Sequence, residues 1–261
     1  MHQHVSPREL YKIESCKSIM EDKMKPEIPY YKMITDISVI GTLVMAIGDF
    51  ICFNIFMLFA PVYLNKVLGL DVKQTGISSA IPYIGSLIVK ILIGPFSDKL
   101  TSISTLNSVR IFMCISQLSM TICLIFLALI PTDWIFTAQL IYLIAIIGSA
   151  FNACGYYKAV NLSYGYFSST IMSWFAIIYA IVILILPLGK TYIAGEDSPD
   201  QWRLFFYLAA GIALVTLIFW FYTADVKLRP WAVLQKKASI VSVITYDTKD
   251  GGLFNLKNRY N

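Results

Sequence analysis

The chain has 261 residues, of which 57% are hydrophobic and only 14% are charged, and its mean hydropathy is +0.66. Soluble domains carry about 25% charged residues, so this composition excludes a soluble protein and predicts an integral protein of the lipid bilayer. The formal net charge of +5 comes from basic residues that flank the apolar runs. It therefore does not indicate a nucleic-acid partner.

Six apolar runs are long enough to cross a bilayer. A helix needs about 20 apolar residues to span the roughly 30 Å of hydrocarbon, whereas the strands of a membrane barrel have about 10 residues of alternating polarity. The sequence therefore predicts an all-α membrane protein with six transmembrane helices, at about 38–63, 79–97, 111–130, 134–155, 168–188 and 204–222.

These runs divide the chain into a polar, linker-like segment at 1–37, a six-span unit at 38–223 and a polar tail at 224–261. Lys and Arg concentrate on the cytosolic side of membrane proteins. If both termini are cytosolic, the opposite side holds few basic residues near the spans, namely Lys66, Lys73, Lys190 and Arg203. We therefore expect cytosolic N and C termini, in the plasma membrane or in an endolysosomal or vesicular membrane.

Cysteines and histidines are few, and their spacing does not match a ligand set. Four of the five cysteines fall within apolar runs without metal or redox spacing, and the only histidines, His2 and His4, do not complete a four-ligand site. The chain also lacks a Gly-x-Ser-x-Gly elbow and a His-Glu-x-x-His motif. We therefore expect no metal, no cofactor and no enzymatic activity.

Two ionisable residues lie inside the first two apolar runs. Asp49 is about eleven residues from the cytosolic end of the first run, which places it near mid-membrane at 1.5 Å per residue. Lys90 is about seven residues before the end of the second run, where it either reaches the interface or faces the bundle and pairs with Asp49. Because intramembrane ionisable groups usually face a polar path, Asp49 is the predicted coupling or site group, and a protonated structural residue is the alternative.

Three uncharged polar residues lie within the apolar runs. They are Asn54 in the first run, Tyr83 in the second and Asn152 in the fourth. Their polarity and depth make them candidate liners of a cavity. With Asp49 and Lys90 they complete the predicted substrate or ion pathway.

Aromatic and basic residues follow the fourth run as Tyr156-Tyr157-Lys158, a composition typical of the membrane interface. Shortly afterwards, Asn161-Leu162-Ser163 matches a glycosylation acceptor. The predicted orientation puts this tripeptide on the cytosolic side. We therefore expect it to remain unmodified.

The second run closes with Gly94-x-x-x-Asp98-Lys99, and Val109-Arg110 follows. This pattern resembles the loop motif between the second and third spans of each half of major facilitator superfamily transporters. Further segments make the chain similar to the C-terminal half of the sodium/phosphate and organic-anion cotransporter family, from about Val5 to Trp231. They are Pro61-Val62-Tyr63-Leu64, Val67-Leu68-Gly69, Ser79-Ala80-Ile81-Pro82-Tyr83, Gln201-Trp202 and Pro230-Trp231.

The resemblance implies a bundle of two inverted three-helix repeats that forms one half of a major facilitator fold, with substrate held between the halves at mid-membrane. It also implies secondary active transport of an organic anion or phosphate by alternating access, coupled to sodium or protons. It assigns four residues to a cytosolic gate: Gly94, Asp98, Lys99 and Arg110. The chain departs from the family after the fourth run, where Asn161-Leu162-Ser163-Tyr164-Gly165-Tyr166 lacks the usual acid and proline.

A single six-span half has no opposing wall for a central substrate site. A working carrier then needs a second copy, a separate N-terminal half, or a longer chain of which this one is a fragment. The fragment is the simplest expectation, because residues 1–37 resemble the loop that joins two halves. The alternative is a transport-incompetent six-span membrane protein that regulates or assembles with a full-length transporter.

Overall fold

The computed structural model describes residues 28–99, 103–131 and 133–232. Every regular element in these ranges is helical. The helices are α1 (Tyr30–Ile34), α2 (Ile37–Asn54), α3 (Ala60–Lys66), α4 (Val72–Lys99), α5 (Thr105–Leu129), α6 (Ile135–Ser149), α7 (Tyr156–Tyr164), α8 (Ser168–Ile193) and α9 (Pro199–Thr223). Most of the predicted segment 1–37 and of the tail 224–261, with His2 and His4, lies outside the described residues.

Short irregular turns link several of these helices. A π-helical turn at Ile55–Phe59 joins α2 to α3, and 3₁₀ turns at Ala150–Cys154 and Gly165–Phe167 stand on either side of α7. Pro61 lies at the start of α3, where the missing proline N–H would leave an α-helical carbonyl without its partner. The π turn accommodates that change of hydrogen bonding.

Five helical stretches in the described ranges are long and apolar enough to cross a membrane. They are Ile37–Lys66, Val72–Lys99, Thr105–Leu129, Ile135–Ile193 and Pro199–Thr223. The fourth stretch contains both the fourth and the fifth predicted runs. It is interrupted at Gly155 (φ −85°, ψ −123°) and Gly165 (φ 49°, ψ −114°), whose backbone angles are not helical. The all-α membrane class is confirmed, and the count of six spans stays a prediction.

Several helices begin outside the apolar runs that predicted them, because polar caps set their starts. Asp36 Oδ1 accepts a hydrogen bond from the backbone N–H of Ser38 at 3.0 Å and caps α2. Ser198 caps α9, so that this helix starts at Pro199 rather than near 204. Side-chain oxygens at such positions satisfy the free N–H groups of the first turn. The length of an apolar run therefore reflects the thickness of the hydrocarbon layer, and the helix itself extends beyond the run.

Helix α9 packs along α2 and α5, and two glycines of α2 permit the close approach. A Cβ added to Gly41 would lie 1.9 Å from Thr223 Oγ1, and one added to Gly48 would lie 1.9 Å from Thr216 Oγ1. Small residues allow the backbones of membrane helices to approach, since lipid provides little hydrophobic drive for association. Glycine at these two positions therefore allows the backbones of α2 and α9 to pack closely.

The remaining contacts arrange the other helices around this pair. Helix α5 packs on α6, α6 packs on α4, and α8 packs on α2. In α4, 17% of the most apolar stretch is buried, compared with 61% of that in α2 and α3. Helix α4 therefore presents a largely exposed apolar surface at one side of the bundle. The cysteines of the described residues are free thiols, and they are Cys52, Cys114, Cys123 and Cys154.

Candidate substrate and ion site

Asp49 is the buried carboxylate of the candidate site, and its side chain comes from the middle of α2. It is 1% exposed. Its Oδ2 atom accepts two hydrogen bonds, from Asn152 Nδ2 at 3.2 Å and from the Tyr156 hydroxyl at 3.1 Å. Its Oδ1 atom is buried and has no hydrogen-bond partner among the described residues. Buried polar atoms are almost always hydrogen-bonded, so this unpartnered oxygen makes the carboxylate the centre of the candidate site.

Both donors come from the break in the fourth candidate stretch. Asn152 belongs to the 3₁₀ turn after α6, and Tyr156 opens α7 directly after Gly155. A Cβ added to Gly155 would lie 2.9 Å from Met113 Sδ. Glycine therefore lets the broken segment approach α5 while it turns both donors toward Asp49.

Of the predicted pathway residues, the structure brings Asn152 to Asp49. Tyr156 was not among them, because the Tyr156-Tyr157-Lys158 cluster was interpreted as interfacial. The residue is fully buried, and its ring stacks on Tyr157 with centroids 4.3 Å apart. The spacing could have indicated Tyr156, since it follows Asn152 by four residues and residues at that spacing share one face of a helix.

An ion pair with Asp49, which was one of the two alternatives for Lys90, is not present in the described residues. Lys90 is exposed on α4, and α4 packs mainly against α6 and the 3₁₀ turn that follows it. Lys90 nevertheless lies close enough for its charge to act on Asp49 through space.

The other two predicted liners make their hydrogen bonds with groups other than Asp49. Asn54 is fully buried, and its Nδ2 donates to the backbone carbonyl of Phe50 at 2.8 Å. Tyr83 is half-buried on α4, and its hydroxyl lies 3.5 Å from that of Tyr142 on α6. The Asn54 amide thus forms a hydrogen bond within α2, while the Tyr83 hydroxyl contacts Tyr142 between α4 and α6.

The predicted gate residue Asp98 joins the end of α4 to α7. Lys158 Nζ donates to Asp98 Oδ1 at 2.8 Å and to Ser97 Oγ at 3.0 Å. The Asp98 side chain is 75% exposed and that of Lys158 is 27% exposed. The pair therefore lies at the surface, where its net contribution to stability is small.

The other three residues of the predicted gate lie in different surroundings. A Cβ added to Gly94 would meet no atom within 4 Å, so no described neighbour requires glycine there. Arg110 Nη2 donates to the backbone carbonyl of Ala224 at 3.3 Å, and its guanidinium lies 4.9 Å from the ring centre of Phe221. Lys99 is exposed at the end of α4. Arg110 thus contacts the end of α9, and Asp98 contacts Lys158.

A second polar cluster, which the sequence did not predict, joins the start of α2 to the chain after α9. We call it the end clamp, and its members are Asp36, Tyr164, Asp225, Arg229 and Trp231. Arg229 lies between two carboxylates, with Nη2 2.5 Å from Asp36 Oδ1 and Nη1 3.1 Å from Asp225 Oδ2. Trp231 Nε1 donates to Asp36 Oδ2 at 3.0 Å, and its ring stacks on Tyr164 with centroids 5.8 Å apart.

The family model described as Major Facilitator Superfamily matches residues 39–253, which is most of the chain. The chain belongs to the major facilitator superfamily. Members of this superfamily are membrane transporters and not enzymes, so the chain is an integral, multi-pass membrane protein of a transporter family.

Individual members of the superfamily show which branch the chain is similar to. Sodium-dependent phosphate transport protein 3 of Mus musculus is 23% identical over 88% of this chain and 49% of its own length. Sialin of Ovis aries is 24% identical over 89% and 47%. The probable small intestine urate exporter of Homo sapiens is 24% identical over 78% and 42%. These similarities confirm the resemblance, and the chain spans about half the length of the curated relatives it matches.

Proposed function

We propose that this chain is a six-span half of a secondary transporter that moves an organic anion or phosphate by alternating access. The observation that carries the proposal is the buried carboxylate of Asp49, held by Asn152 and Tyr156 across two membrane-long stretches. Charged groups at this depth are costly, and they usually mark a substrate or ion path. Two relatives bear the names of a phosphate transport protein and a urate exporter, which supports a small anion as substrate.

The six spans of this proposal divide the long fourth stretch at its two glycine breaks. Its first part, α6 with the 3₁₀ turn Ala150–Cys154, and its last part, α8, are each apolar. Helix α7 between them carries Lys158, which pairs with Asp98 at the proposed cytosolic face. Asp98, Gly94, Lys99 and Arg110 form the proposed gate at that face, and both termini are cytosolic.

The proposed half needs a second surface to enclose substrate. Helix α4 leaves most of its apolar stretch unburied. The side chains along α8 are also largely exposed, and the buried ones are Ile171, Phe175, Val182 and Leu186. These two helices are the proposed contact with an opposing half, supplied by a second copy or by a separate N-terminal half. Coupling to sodium or protons would take place at Asp49.

The test is uptake by the purified full chain in liposomes. Radiolabelled phosphate, urate and small organic carboxylates are offered with an inward sodium gradient, a proton gradient, or neither. We expect gradient-dependent uptake of at least one anion, and its loss in Asp49→Asn. The matched control is Asp133→Asn, which makes the same chemical change at an exposed residue and should leave uptake unchanged.

Absence of uptake with every anion and gradient would contradict transport by this chain alone. Co-reconstitution with a full-length relative then tests the alternative, in which the chain is transport-incompetent and regulates or assembles with that relative. The exposed apolar surfaces of α4 and α8 favour such an assembly as the second candidate. It predicts co-purification with the relative and a changed transport rate of the relative.

A further inference from the structure

We propose that Lys190, Asp197 and Trp202 form a latch that keeps α3 packed against α9, at the end of the bundle opposite the end clamp. We call these three residues the loop latch, because Asp197 lies in the loop between α8 and α9. The loop latch is separate from the Asp49 site and goes beyond the proposed function. It controls the position of α3 whether or not the chain transports an anion.

The three side chains of the loop latch contact one another in a closed triangle. Lys190 Nζ donates to Asp197 Oδ1 at 2.6 Å, and Trp202 Nε1 donates to the same oxygen at 3.2 Å. The Lys190 ammonium also lies 5.4 Å from the ring centre of Trp202, within the range of a cation–π attraction. The Lys190 side chain is 14% exposed, and Trp202 is fully buried. One carboxylate therefore binds the end of α8 to the first turn of α9.

The backbone at Asp197 has a conformation that residues with a side chain seldom adopt. Its φ of 55° lies in the left-handed region, and Asp197 is the only non-glycine residue of the described ranges with a positive φ. Contact between Cβ and the backbone disfavours this region, so interactions elsewhere must stabilise it. The two hydrogen bonds to Asp197 Oδ1 are such interactions. Strained residues of this kind cluster at segments that switch between conformations.

Trp202 connects the loop latch to α3 through packed aromatic rings. Its ring centre lies 5.5 Å from that of Tyr63 and 6.4 Å from that of Phe59. The ring of Phe206, one turn further along α9, lies 5.6 Å from Trp202 and 5.4 Å from Tyr63. Such edge-on and tilted aromatic pairs stabilise the packing beyond the apolar area that they bury. The contact of α3 with α9 therefore depends on where Trp202 is held.

The connection of α3 to α2 does not fix the position of α3 by itself. The π turn Ile55–Phe59 interrupts the α-helical hydrogen bonds between the two helices, and Pro61 at the start of α3 lacks an N–H. The Lys190–Asp197 ion pair is partly exposed, with 31% of the Asp197 side chain accessible, so water can replace it at modest cost. Opening of that pair releases Trp202, and α3 then moves at the π turn while α2 keeps its place.

Hydrogen–deuterium exchange of the full chain in lipid nanodiscs, read by mass spectrometry of its peptides, tests the loop latch without measuring transport. Lys190→Met keeps a long side chain and removes its charge. We expect about tenfold faster exchange in α3, which is the fold-change for loss of one charged hydrogen bond that limits local opening. Exchange in α5 should stay unchanged. The matched control is Lys73→Met, which makes the same change at an exposed lysine outside the loop latch.

Asp197→Gly tests the carboxylate separately from the backbone, because glycine adopts the left-handed conformation without strain. If the backbone alone placed Trp202, this variant would exchange as slowly as the wild type. We expect faster exchange in α3 instead. The double variant with Lys190→Met should exchange no faster than Asp197→Gly alone, since both changes break the same contact.

Three results would overturn the inference. The first is unchanged exchange of α3 in either Lys190→Met or Asp197→Gly. The second is an equal increase in α5, because a general loss of stability is not an opening of α3. The third is an increase in the Lys73→Met control as large as that in Lys190→Met.

Discussion

Arg229 and Asp36 are 193 positions apart in the sequence, and their side chains form an ion pair of 2.5 Å. The pair is well shielded, since the Arg229 side chain is 18% exposed and that of Asp36 is 11% exposed. Asp36 also caps α2 through the backbone N–H of Ser38. The Asp36 carboxylate thus caps the start of α2 and also binds Arg229 and Trp231, which follow α9.

Arg229→Gln should destabilise the bundle, because it leaves Asp36 and Asp225 close together without their shared cation. Breaking a buried pair by removing one partner costs about 3–5 kcal/mol, and the partial exposure here lowers the expectation to about 2 kcal/mol. Unfolding of the detergent-solubilised chain measures it. Arg203→Gln is the control, since the Arg203–Asp200 pair is 46% and 88% exposed and should cost less than about 1 kcal/mol. Equal losses in the two variants would contradict a special role for the clamp.

Gly48→Ala should weaken the packing of α2 on α9. The new Cβ would lie 1.9 Å from Thr216 Oγ1 and 2.9 Å from Thr216 Cβ, and overpacking of this kind costs about 1–3 kcal/mol. Thermal unfolding in the same detergent provides the measurement. Gly94→Ala is the matched control, since nothing lies within 4 Å of its new methyl group. A stability loss at Gly94 as large as that at Gly48 would show that the α2–α9 contact does not explain the effect.

Tyr156→Phe removes one of the two donors to Asp49 Oδ2 and leaves the ring in place. Losing a hydrogen bond to a buried polar group costs about 1–3 kcal/mol. In Asp49→Asn the same tyrosine substitution should cost less, because the two residues interact and their effects are then not additive. Tyr166→Phe is the control, since it removes the same hydroxyl from a tyrosine that is 66% exposed. Additive losses would mean that the hydroxyl acts on something other than Asp49.

Asp98→Asn and Lys158→Gln should each change unfolding stability by less than about 1 kcal/mol, because their pair lies at the surface. If the pair belongs to a gate, the effects appear in the uptake rate instead. Each single variant should then change uptake, and the double variant should change it no further. A large stability loss in either variant would assign the pair to the fold rather than to a gate.

Asn161 should remain unglycosylated when the chain is produced in eukaryotic cells. The side chain is exposed, but Ser163 of the acceptor tripeptide is fully buried, and its hydroxyl donates to the Asp225 carbonyl at 2.7 Å. Glycosidase treatment should therefore leave the electrophoretic mobility unchanged. A mobility shift that Asn161→Gln abolishes would contradict both this burial and the predicted cytosolic side.

The helices were predictable because hydrocarbon thickness imposes a minimum apolar length. Their starts were less so, since Asp36 and Ser198 cap helices from outside the apolar runs. The breaks at Gly155 and Gly165 lie at the end of the fourth run and in the gap that the sequence left between the fourth and fifth runs, where α7 carries Lys158 and Asn161. The apolar runs therefore located the interruption, but they did not predict that the segment within it is itself a helix.

The candidate site was predictable to the extent that polarity alone marks it. Asp49 and Asn152 stand out within apolar runs, and the structure brings them together. Tyr156 was overlooked, because an amphipathic tyrosine suits the membrane interface as well as a buried hydrogen bond. The end clamp depends on contacts between residues nearly 200 positions apart, which no local pattern reveals.

The clamp also brings the entry and the exit of the helical bundle together, since Trp231 Nε1 lies 3.0 Å from Asp36 Oδ2. Chains whose ends meet at the surface generally tolerate circular permutation. A short peptide that joins these two points would close the bundle into a ring with its helix contacts intact. We therefore expect that a chain with the same helices in a permuted order would pack them in the same arrangement.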